Sequence, residues 1–216
     1  MCQAFSFAGI PPVVRIPKPD PFEACKVLDG GASGVIGPYV ETAEQARALV
    51  GAARYRPLKG KRLEEALRNP DSIEPKLRSY LEARNQNTIL IVNIESVPAL
   101  ENLDEILSVP GLDSVLIGPH DLSCSLGIPE EYHHPRFDEA VRAIFAKARE
   151  HNVGAGIHFW LDVNLEVEWA KAGGNLVMHS SDMALFGQNL KRELDDIRLA
   201  VGGPTSSPES AEAATV

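Results

Sequence analysis

Short apolar runs alternate with longer amphipathic segments along most of the chain. Runs of this length, rich in β-branched and aliphatic residues, are typical of buried strands, and the segments between them carry helix signals. The predicted strands are Pro12–Ile16, Gly34–Val40, Ile89–Ile94, Ser114–Ile117, Val153–Phe159 and Leu176–His179. Alternating strands and helices predict an α/β fold built on a parallel sheet.

Helix starts are well marked between these strands. Asp20 followed by Pro21 predicts a capping residue with proline in the first helical position. Thr42 with Gln45 three residues later forms a capping-box pattern, and Ser96 opens another helix. The segment between residues 58 and 86 is too long for a plain loop, and we expect two helices there.

The number of repeats predicts a (β/α)8 barrel of the TIM type that is incomplete. About six βα units are visible, whereas a closed barrel of this kind has eight. The first nine residues read as the end of a helix that stops at Gly9, so we expect one or two units to be missing, through a short gene model, a truncation or real loss. The alternative is an open doubly wound sheet, but no Gly-x-Gly-x-x-Gly turn follows the first strand.

Composition narrows the class of protein. We expect one domain over residues 1–202 and a disordered tail over residues 203–216, which are rich in Pro, Ser, Ala and Glu. The net charge of −9 argues against non-specific binding to nucleic acid. Three cysteines without metal-like spacing favour a cytoplasmic setting, and no apolar run is long enough to cross a membrane.

Two acidic residues, Glu95 and Asp121, each close an apolar run. A carboxylate at the end of a buried strand is costly unless a positive group neutralises it. The carboxyl ends of neighbouring parallel strands meet at one edge of the sheet, where α/β folds place their ligands. Two hard oxygen donors at this edge predict a site for a divalent cation such as Mg²⁺ or Mn²⁺.

Ordinary structural roles remain open for both acids. Glu95 could be an exposed acid at the start of the next helix, and Asp121 could cap a turn. Their recurrence at equivalent points of adjacent units favours the cation site. Gly118 and Pro119 support it, because they bring backbone close to a ligand and fix its approach.

Two further charged residues are candidates for chemistry. Arg15 lies inside the short apolar strand Val13-Val-Arg-Ile-Pro17, and a guanidinium there could bind an oxyanion and stabilise developing charge. A surface arginine is the alternative. Asp29 falls at a helix end, where the dipole disfavours an acid, which suggests a polar partner. A solvated acid in a turn is the alternative.

These residues lie in stretches that resemble the HpcH/HpaI aldolase family, the metal-dependent class II pyruvate aldolases that include 4-hydroxy-2-oxoheptanedioate aldolase. The likeness covers about residues 10 to 200, in order and with similar spacing. The matching stretches are Val13–Pro17, Leu28–Thr42, Arg54–Arg62, Val92–Ser96, Val109–Asp113, Ile117–Ser123 and His179–Asp182.

The resemblance implies roles for residues and a reaction. Glu95 and Asp121 would be the ligands of Mg²⁺, Mn²⁺ or Co²⁺, and Arg15 would bind pyruvate and stabilise its enolate. The substrates would be pyruvate, or another 2-oxo acid, and an aldehyde, joined or separated at a carbon–carbon bond. The family fold is a modified (β/α)8 barrel, assembled as a homo-oligomer, usually a hexamer. The backbone that would hold the pyruvate carboxylate runs through Gly118, Pro119, His120 and Asp121.

The chain departs from the family pattern at two points. Asn93 stands where family members commonly carry Gln, and it could still orient a water molecule at the cation. The family base is a histidine in an acidic segment after the second strand, and that segment is absent here. Asp29 matches the catalytic acid that pairs with this histidine.

Three other readings of the sequence stay open. The chain could be a catalytically impaired paralogue that binds cation and 2-oxo acid, or a lyase of citramalyl- or malyl-CoA. The last reading is an α/β domain with a purely structural role.

Overall fold

The computed structural model describes residues 1–203, so the predicted tail lies outside the described residues from position 204 onward. A six-stranded parallel sheet holds the strands in chain order, β1 to β6. The strands are β1 Val13–Arg15, β2 Gly34–Gly37, β3 Ile89–Ile94, β4 Ser114–Ile117, β5 Gly154–Phe159 and β6 Leu176–His179.

Helices occupy every connection between strands. Over the described residues they are α1 Cys2–Phe7, α2 Pro21–Asp29, α3 Ala43–Arg54, α4 Gly60–Arg68, α5 Pro75–Asn85, α6 Val97–Glu101, α7 Leu103–Leu107, α8 Pro119–Ser125, α9 Pro135–Glu150, α10 Val163–Lys171 and α11 Asp182–Ala200. The two helices expected between residues 58 and 86 are α4 and α5, joined by a 3₁₀ turn at Pro70–Ser72. The α/β class is therefore confirmed.

The strand order decides between the two architectures that the sequence allows. A doubly wound sheet reverses its strand order at a switch point, whereas a barrel adds each new strand beside the last. In the described part of the chain the order runs from β1 to β6 without reversal. The sheet thus agrees with an incomplete barrel, and the doubly wound alternative is wrong.

The predicted helix starts are present as local hydrogen bonds. The Asp20 carboxylate accepts a hydrogen bond from the Phe22 amide at 2.7 Å. Thr42 and Gln45 form a complete capping box, and the Ser96 hydroxyl accepts from the Ala99 amide. These caps satisfy amides that have no partner within the helix, so each helix begins where its capping residue stands.

The two faces of the sheet have different partners. Val35, Leu90, Val92 and Val115 belong to the main core, where the sheet packs against helices. On the other face Ile36, Ile91 and Leu116 form a separate apolar cluster. Because successive side chains of a strand alternate between faces, Ile91, Asn93 and Glu95 project from the same side of β3. The smaller cluster therefore lies directly beneath the carboxyl end of β3.

The described chain forms two compact units, Met1–Met178 and a second that starts at His179. The prediction of one domain over residues 1–202 stays a prediction. In the second unit α11 begins at the Ser181 cap and extends over 19 residues. No helix among residues 1–203 combines the length and the apolar character needed to span a bilayer.

Candidate active site at the carboxyl edge of the sheet

Glu95 is the centre of the candidate site. It follows β3 directly and is only 5% exposed. Its Oε1 accepts a hydrogen bond from Asn93 Nδ2 at 2.7 Å, and its Oε2 accepts from the Tyr39 backbone N–H at 3.0 Å. Arg15 Nη2 lies 3.6 Å from Oε1. A buried carboxylate is tolerated here because two neutral donors and one cation share its charge.

Gly118 makes room for this carboxylate. The β3–β4 register pairs Ile94 with Ile117, so Glu95 and Gly118 follow at the same level. A Cβ atom on residue 118 would stand 2.4 Å from Glu95 Oε1, far inside van der Waals contact. Only glycine allows the Glu95 side chain to lie across the end of β4.

Asn93 contributes an acceptor that is not in use. The residue is 4% exposed, and while its Nδ2 binds Glu95, its Oδ1 is buried without a hydrogen-bond partner among the described residues. An unsatisfied buried oxygen is costly, and in native proteins such atoms commonly bind a water molecule or a ligand. Asn93 Oδ1 is thus open to a donor beside the Glu95 carboxylate.

Arg15 ends β1 and reaches toward Glu95. Its side chain is half exposed, and its Cζ lies 5.5 Å from the centroid of the Tyr39 ring. A guanidinium over an aromatic face is attracted by the ring quadrupole. Tyr39 could not be predicted as part of the site, because nothing in Gly37-Pro38-Tyr39 marks a backbone donor to a residue 56 positions away.

The α8 residues lie at the same edge of the sheet. Gly118 precedes the helix as its N-cap, and Pro119 occupies the first turn. His120 lies near Glu130, with Nδ1 3.4 Å from Oε1, while its Nε2 is 3.9 Å from the Cys124 sulfur. Asp121 is exposed in the first turn of the helix.

Asp29 is not brought to this group. It is the last residue of α2, which leads into the amino end of β2, whereas Arg15 and Glu95 lie at the carboxyl ends of their strands. Its Oδ1 lies 3.3 Å from Arg56 Nη1 and 3.9 Å from Arg84 Nη2. The polar partner expected for this acid is therefore a pair of arginines at the opposite edge.

The donor set suits a hard divalent cation with few protein ligands. Glu95 and Asp121 offer carboxylate oxygens, and the free Asn93 Oδ1 offers a neutral oxygen. Within residues 1–203 no three or more His, Cys, Asp or Glu side chains cluster as a metal site. An ion at this edge would therefore have at most two carboxylate ligands from the described residues. Mg²⁺ commonly binds one or two carboxylates and completes its shell with water and substrate oxygens, so the residues present fit such an ion.

Comparison with known proteins shows which family and which solved structures the chain is similar to. Residues 1–188 match the family described as HpcH/HpaI aldolase/citrate lyase. A curated relative, the 2-keto-3-deoxy-L-rhamnonate aldolase of Salmonella dublin, is 36% identical over 215 residues, which cover 97% of this chain and 76% of the relative.

Two solved structures share the fold at similar coverage. An HpcH/HpaI aldolase from Desulfitobacterium hafniense DCB-2 superimposes with a TM-score of 0.76 at 28% identity, over 91% of this chain and 76% of its own. The citrate synthase SbnG superimposes with a TM-score of 0.77, also at 28% identity, over 93% of this chain and 77% of its own.

Proposed function

This chain belongs to the HpcH/HpaI aldolase/citrate lyase family and is a carbon–carbon lyase of the aldolase type, and from this premise we propose that it cleaves or forms 4-hydroxy-2-oxo acids through a pyruvate enolate. The reaction depends on a divalent cation at Glu95 and Asp121. The complete fold is a (β/α)8 barrel, and the assembly is a homo-oligomer.

One observation carries the proposal. At the carboxyl edge of the sheet, a buried carboxylate, an arginine and an unpaired amide oxygen meet within a few ångströms. Glu95 Oε1 is 3.6 Å from Arg15 Nη2 and 2.7 Å from Asn93 Nδ2. A purely structural ion pair would not leave a buried Asn93 oxygen unsatisfied, whereas a ligand site would use it.

Each residue of the proposed site has a separate role in aldol cleavage. Glu95 and Asp121 would hold the cation, which when bound would supply Lewis-acid chemistry to a 2-oxo acid. Arg15 supplies a guanidinium to the oxygen on which charge builds as the C3–C4 bond breaks and its electron pair forms the enolate. The C4 hydroxyl gives its proton to water as C4 becomes the aldehyde carbon, and the enolate takes up a proton at C3 to give pyruvate. Asn93 Oδ1 accepts a hydrogen bond from a donor beside the Glu95 carboxylate. The backbone from Gly118 to Asp121, at the start of α8, binds the substrate carboxylate.

The substrate class follows from the chemistry named by the curated relative. A 2-keto-3-deoxy sugar acid carries a keto group at C2, no hydroxyl at C3 and a hydroxyl at C4. It is therefore a 4-hydroxy-2-oxo acid, and its cleavage between C3 and C4 gives pyruvate and a hydroxyaldehyde. We assign this chain the same class and leave the aldehyde open.

A second candidate function is binding of cation and 2-oxo acid without turnover. The position of Asp29 favours it, because the acid expected to support the catalytic base lies at the opposite edge, bound to Arg56 and Arg84. The two functions differ in one measurement, the release of pyruvate.

The test replaces each carboxylate with its amide. Release of pyruvate from 2-keto-3-deoxy-L-rhamnonate is followed with Mg²⁺, Mn²⁺ or Co²⁺ in the parent, Glu95→Gln and Asp121→Asn, with Glu105→Gln on α7 as the control for loss of one exposed acid. We expect each site variant to lose at least about a hundredfold in activity and the control to match the parent.

Each other result has a clear meaning. Unchanged release in either site variant would contradict the assignment of that ligand. Binding of Mn²⁺ and pyruvate by the parent, without release from several 4-hydroxy-2-oxo acids, would favour the second candidate.

A further inference from the structure

Tyr39 has a backbone conformation that side chains seldom adopt. It follows β2 after Pro38, with φ at +54°. Positive φ in a residue other than glycine is uncommon, and such strain persists where the surrounding structure enforces it, often at functional sites. We therefore expect contacts of Tyr39 that enforce this backbone conformation.

The reason lies in two contacts that Tyr39 makes at once. Its backbone N–H donates to Glu95 Oε2 at 3.0 Å, and the face of its ring lies 5.5 Å from Arg15 Cζ. One residue thus contacts both charged groups of the candidate site, the acid through its main chain and the cation through its ring.

The segment that carries Tyr39 is held from outside the site. The Glu41 carboxylate accepts from the Ser96 hydroxyl at 2.5 Å, and the Glu41 carbonyl accepts from Asn102 Nδ2 at 2.9 Å. The Glu41 amide donates to Gln45 Oε1 at 2.8 Å. These bonds tie the loop to both ends of α6 and to the start of α3, so the contacts that hold the loop come from the protein itself.

Arg15 needs such a support. Its side chain is 50% exposed, and its contact with Glu95 at 3.6 Å is an ion pair beyond hydrogen-bond distance. An unsupported guanidinium could extend into solvent or collapse onto Glu95, where it would compete with a cation for the same oxygens. An aromatic face holds a guanidinium through its π-system and leaves its five N–H donors available.

We propose that Tyr39 is the positioning residue of the site. The Tyr39 ring keeps Arg15 beside Glu95, with the guanidinium donors directed to a 2-oxo acid, and the Tyr39 backbone N–H fixes the Glu95 carboxylate. The role of Arg15 toward substrate rests on the proposed function. The hold of the ring on Arg15 does not, and it is tested separately.

The first experiment needs no ligand. An aromatic ring shifts the NMR signals of protons over its face, so the Arg15 side-chain protons are compared in the parent, Tyr39→Phe and Tyr39→Leu. Leucine is not β-branched and accepts the same backbone conformation about as poorly as tyrosine, so this variant chiefly removes the ring. We expect upfield shifts in the parent and Tyr39→Phe and ordinary shifts in Tyr39→Leu. Ordinary shifts in the parent would overturn the proposal.

The second experiment measures binding of oxalate, an analogue of the pyruvate enolate, in the presence of Mn²⁺ by calorimetry. We expect Tyr39→Leu to weaken oxalate about fivefold and Tyr39→Phe to stay within about twofold, in line with the strength of cation–π contacts. Mn²⁺ affinity without oxalate should change little, because leucine keeps the backbone N–H. Tyr80→Leu on α5 is the matched control, since Tyr80 is 50% exposed and Tyr39 is 51% exposed.

A double-mutant cycle with Arg15→Ala separates positioning from general structure. If Tyr39 acts through Arg15, the effect of Tyr39→Leu on oxalate binding disappears in the Arg15→Ala background. An equal effect in both backgrounds would overturn the proposal. Failure of the parent to bind Mn²⁺ or oxalate would instead contradict the proposed function, while the NMR comparison would still decide the hold on Arg15.

Discussion

Glu95 is a buried carboxylate, and its partners come from two strands and one loop. Asn93 comes from the same strand, Tyr39 from the loop after β2, and Arg15 from the end of β1. Asn93 and Arg15 contact Oε1 of the carboxylate, and Tyr39 contacts Oε2. The position of this one side chain is therefore defined before any substrate is bound.

Gly118 gives the sharpest prediction at the scale of single residues. In Gly118→Ala the new Cβ would meet Glu95 Oε1 at 2.4 Å, and the carboxylate would have to move away from Asn93 and Arg15. We expect at least a tenfold loss of cation-dependent pyruvate release and a destabilisation of about 1–3 kcal/mol, typical of overpacking. Activity assays and urea unfolding measure the two effects.

Gly187→Ala is the control for the added methyl group. Gly187 lies in α11, and its Cβ would meet nothing within 4 Å. This variant should keep the parent activity and gain up to about 1 kcal/mol of stability from the better helix former. Full activity in Gly118→Ala would mean that the observed position of Glu95 is not needed for the reaction.

The sequence predicted part of this site, for a physical reason. Arg15, Asn93, Glu95 and Gly118 lie at strand ends, which follow from local alternation, and the structure brings the four together. Tyr39 escaped prediction because its two contacts depend on the sign of one backbone angle. The chemical roles of these site residues stay predictions, which the proposed substitutions test.

At the scale of elements, α9 and α10 are joined by a polar contact inside an aromatic cluster. Trp169 Nε1 donates to Asp138 Oδ1 at 3.0 Å, and the Trp169 ring packs against Phe137 and Phe159 at centroid distances of 5.8 and 5.2 Å. The Arg142 guanidinium holds the pKa of Asp138 below its ordinary value of 3.8, with help from the Trp169 indole and against partial burial.

This contact makes stability depend on pH in a defined direction. Because the pKa of Asp138 is lower in the folded state, ionised Asp138 stabilises the fold fully above about pH 4, and this stabilisation is lost as the pH falls through the folded pKa. We expect Asp138→Ala to lower the free energy of unfolding by about 1–3 kcal/mol at pH 7, and by less at pH 3.5. Urea unfolding at both pH values measures this difference.

Glu139→Ala is the matched control, because it removes an exposed acid from the next position of α9. It should change stability little at either pH. A cost for Asp138→Ala that stays the same at pH 3.5 would show that packing, and not charge, accounts for the effect.

Element boundaries were predictable wherever the determinants are local. Strands β3, β4 and β6 have the predicted ends, while β2 stops at Gly37 and not at Val40. Pro38 lacks an N–H, and Tyr39 turns the chain to positive φ, so pairing cannot continue. An apolar run alone does not reveal such a turn, which explains the longer prediction.

At the scale of the whole molecule, the proposed cation site predicts a gain in stability with added metal. A ligand that binds only the folded state at a hundred times its Kd contributes about 2.7 kcal/mol. For a chain of this length that corresponds to a rise in Tm of about 5–10 °C. Thermal unfolding with Mn²⁺ and with excess chelator measures the shift, and Glu95→Gln should lose it. An identical shift in Glu95→Gln would place the ion elsewhere.

Some features of the sheet could be predicted from the sequence alone, and the sequential strand order is one of them. Repeated βα units fixed the class and the neighbours of each strand, because each crossover returns beside the strand that it leaves. The repeats contain no information about what lies beyond β1 and β6, the end strands of the described sheet.

The partnered state of Glu95 has a consequence for the order of assembly. Because Asn93, Tyr39 and Arg15 already contact Glu95, we expect the polypeptide to fold without an ion and to stay folded when an ion is removed. If the proposed cation is needed for the reaction, a chelator should abolish activity reversibly. Activity should return as soon as metal is added back, with no refolding delay.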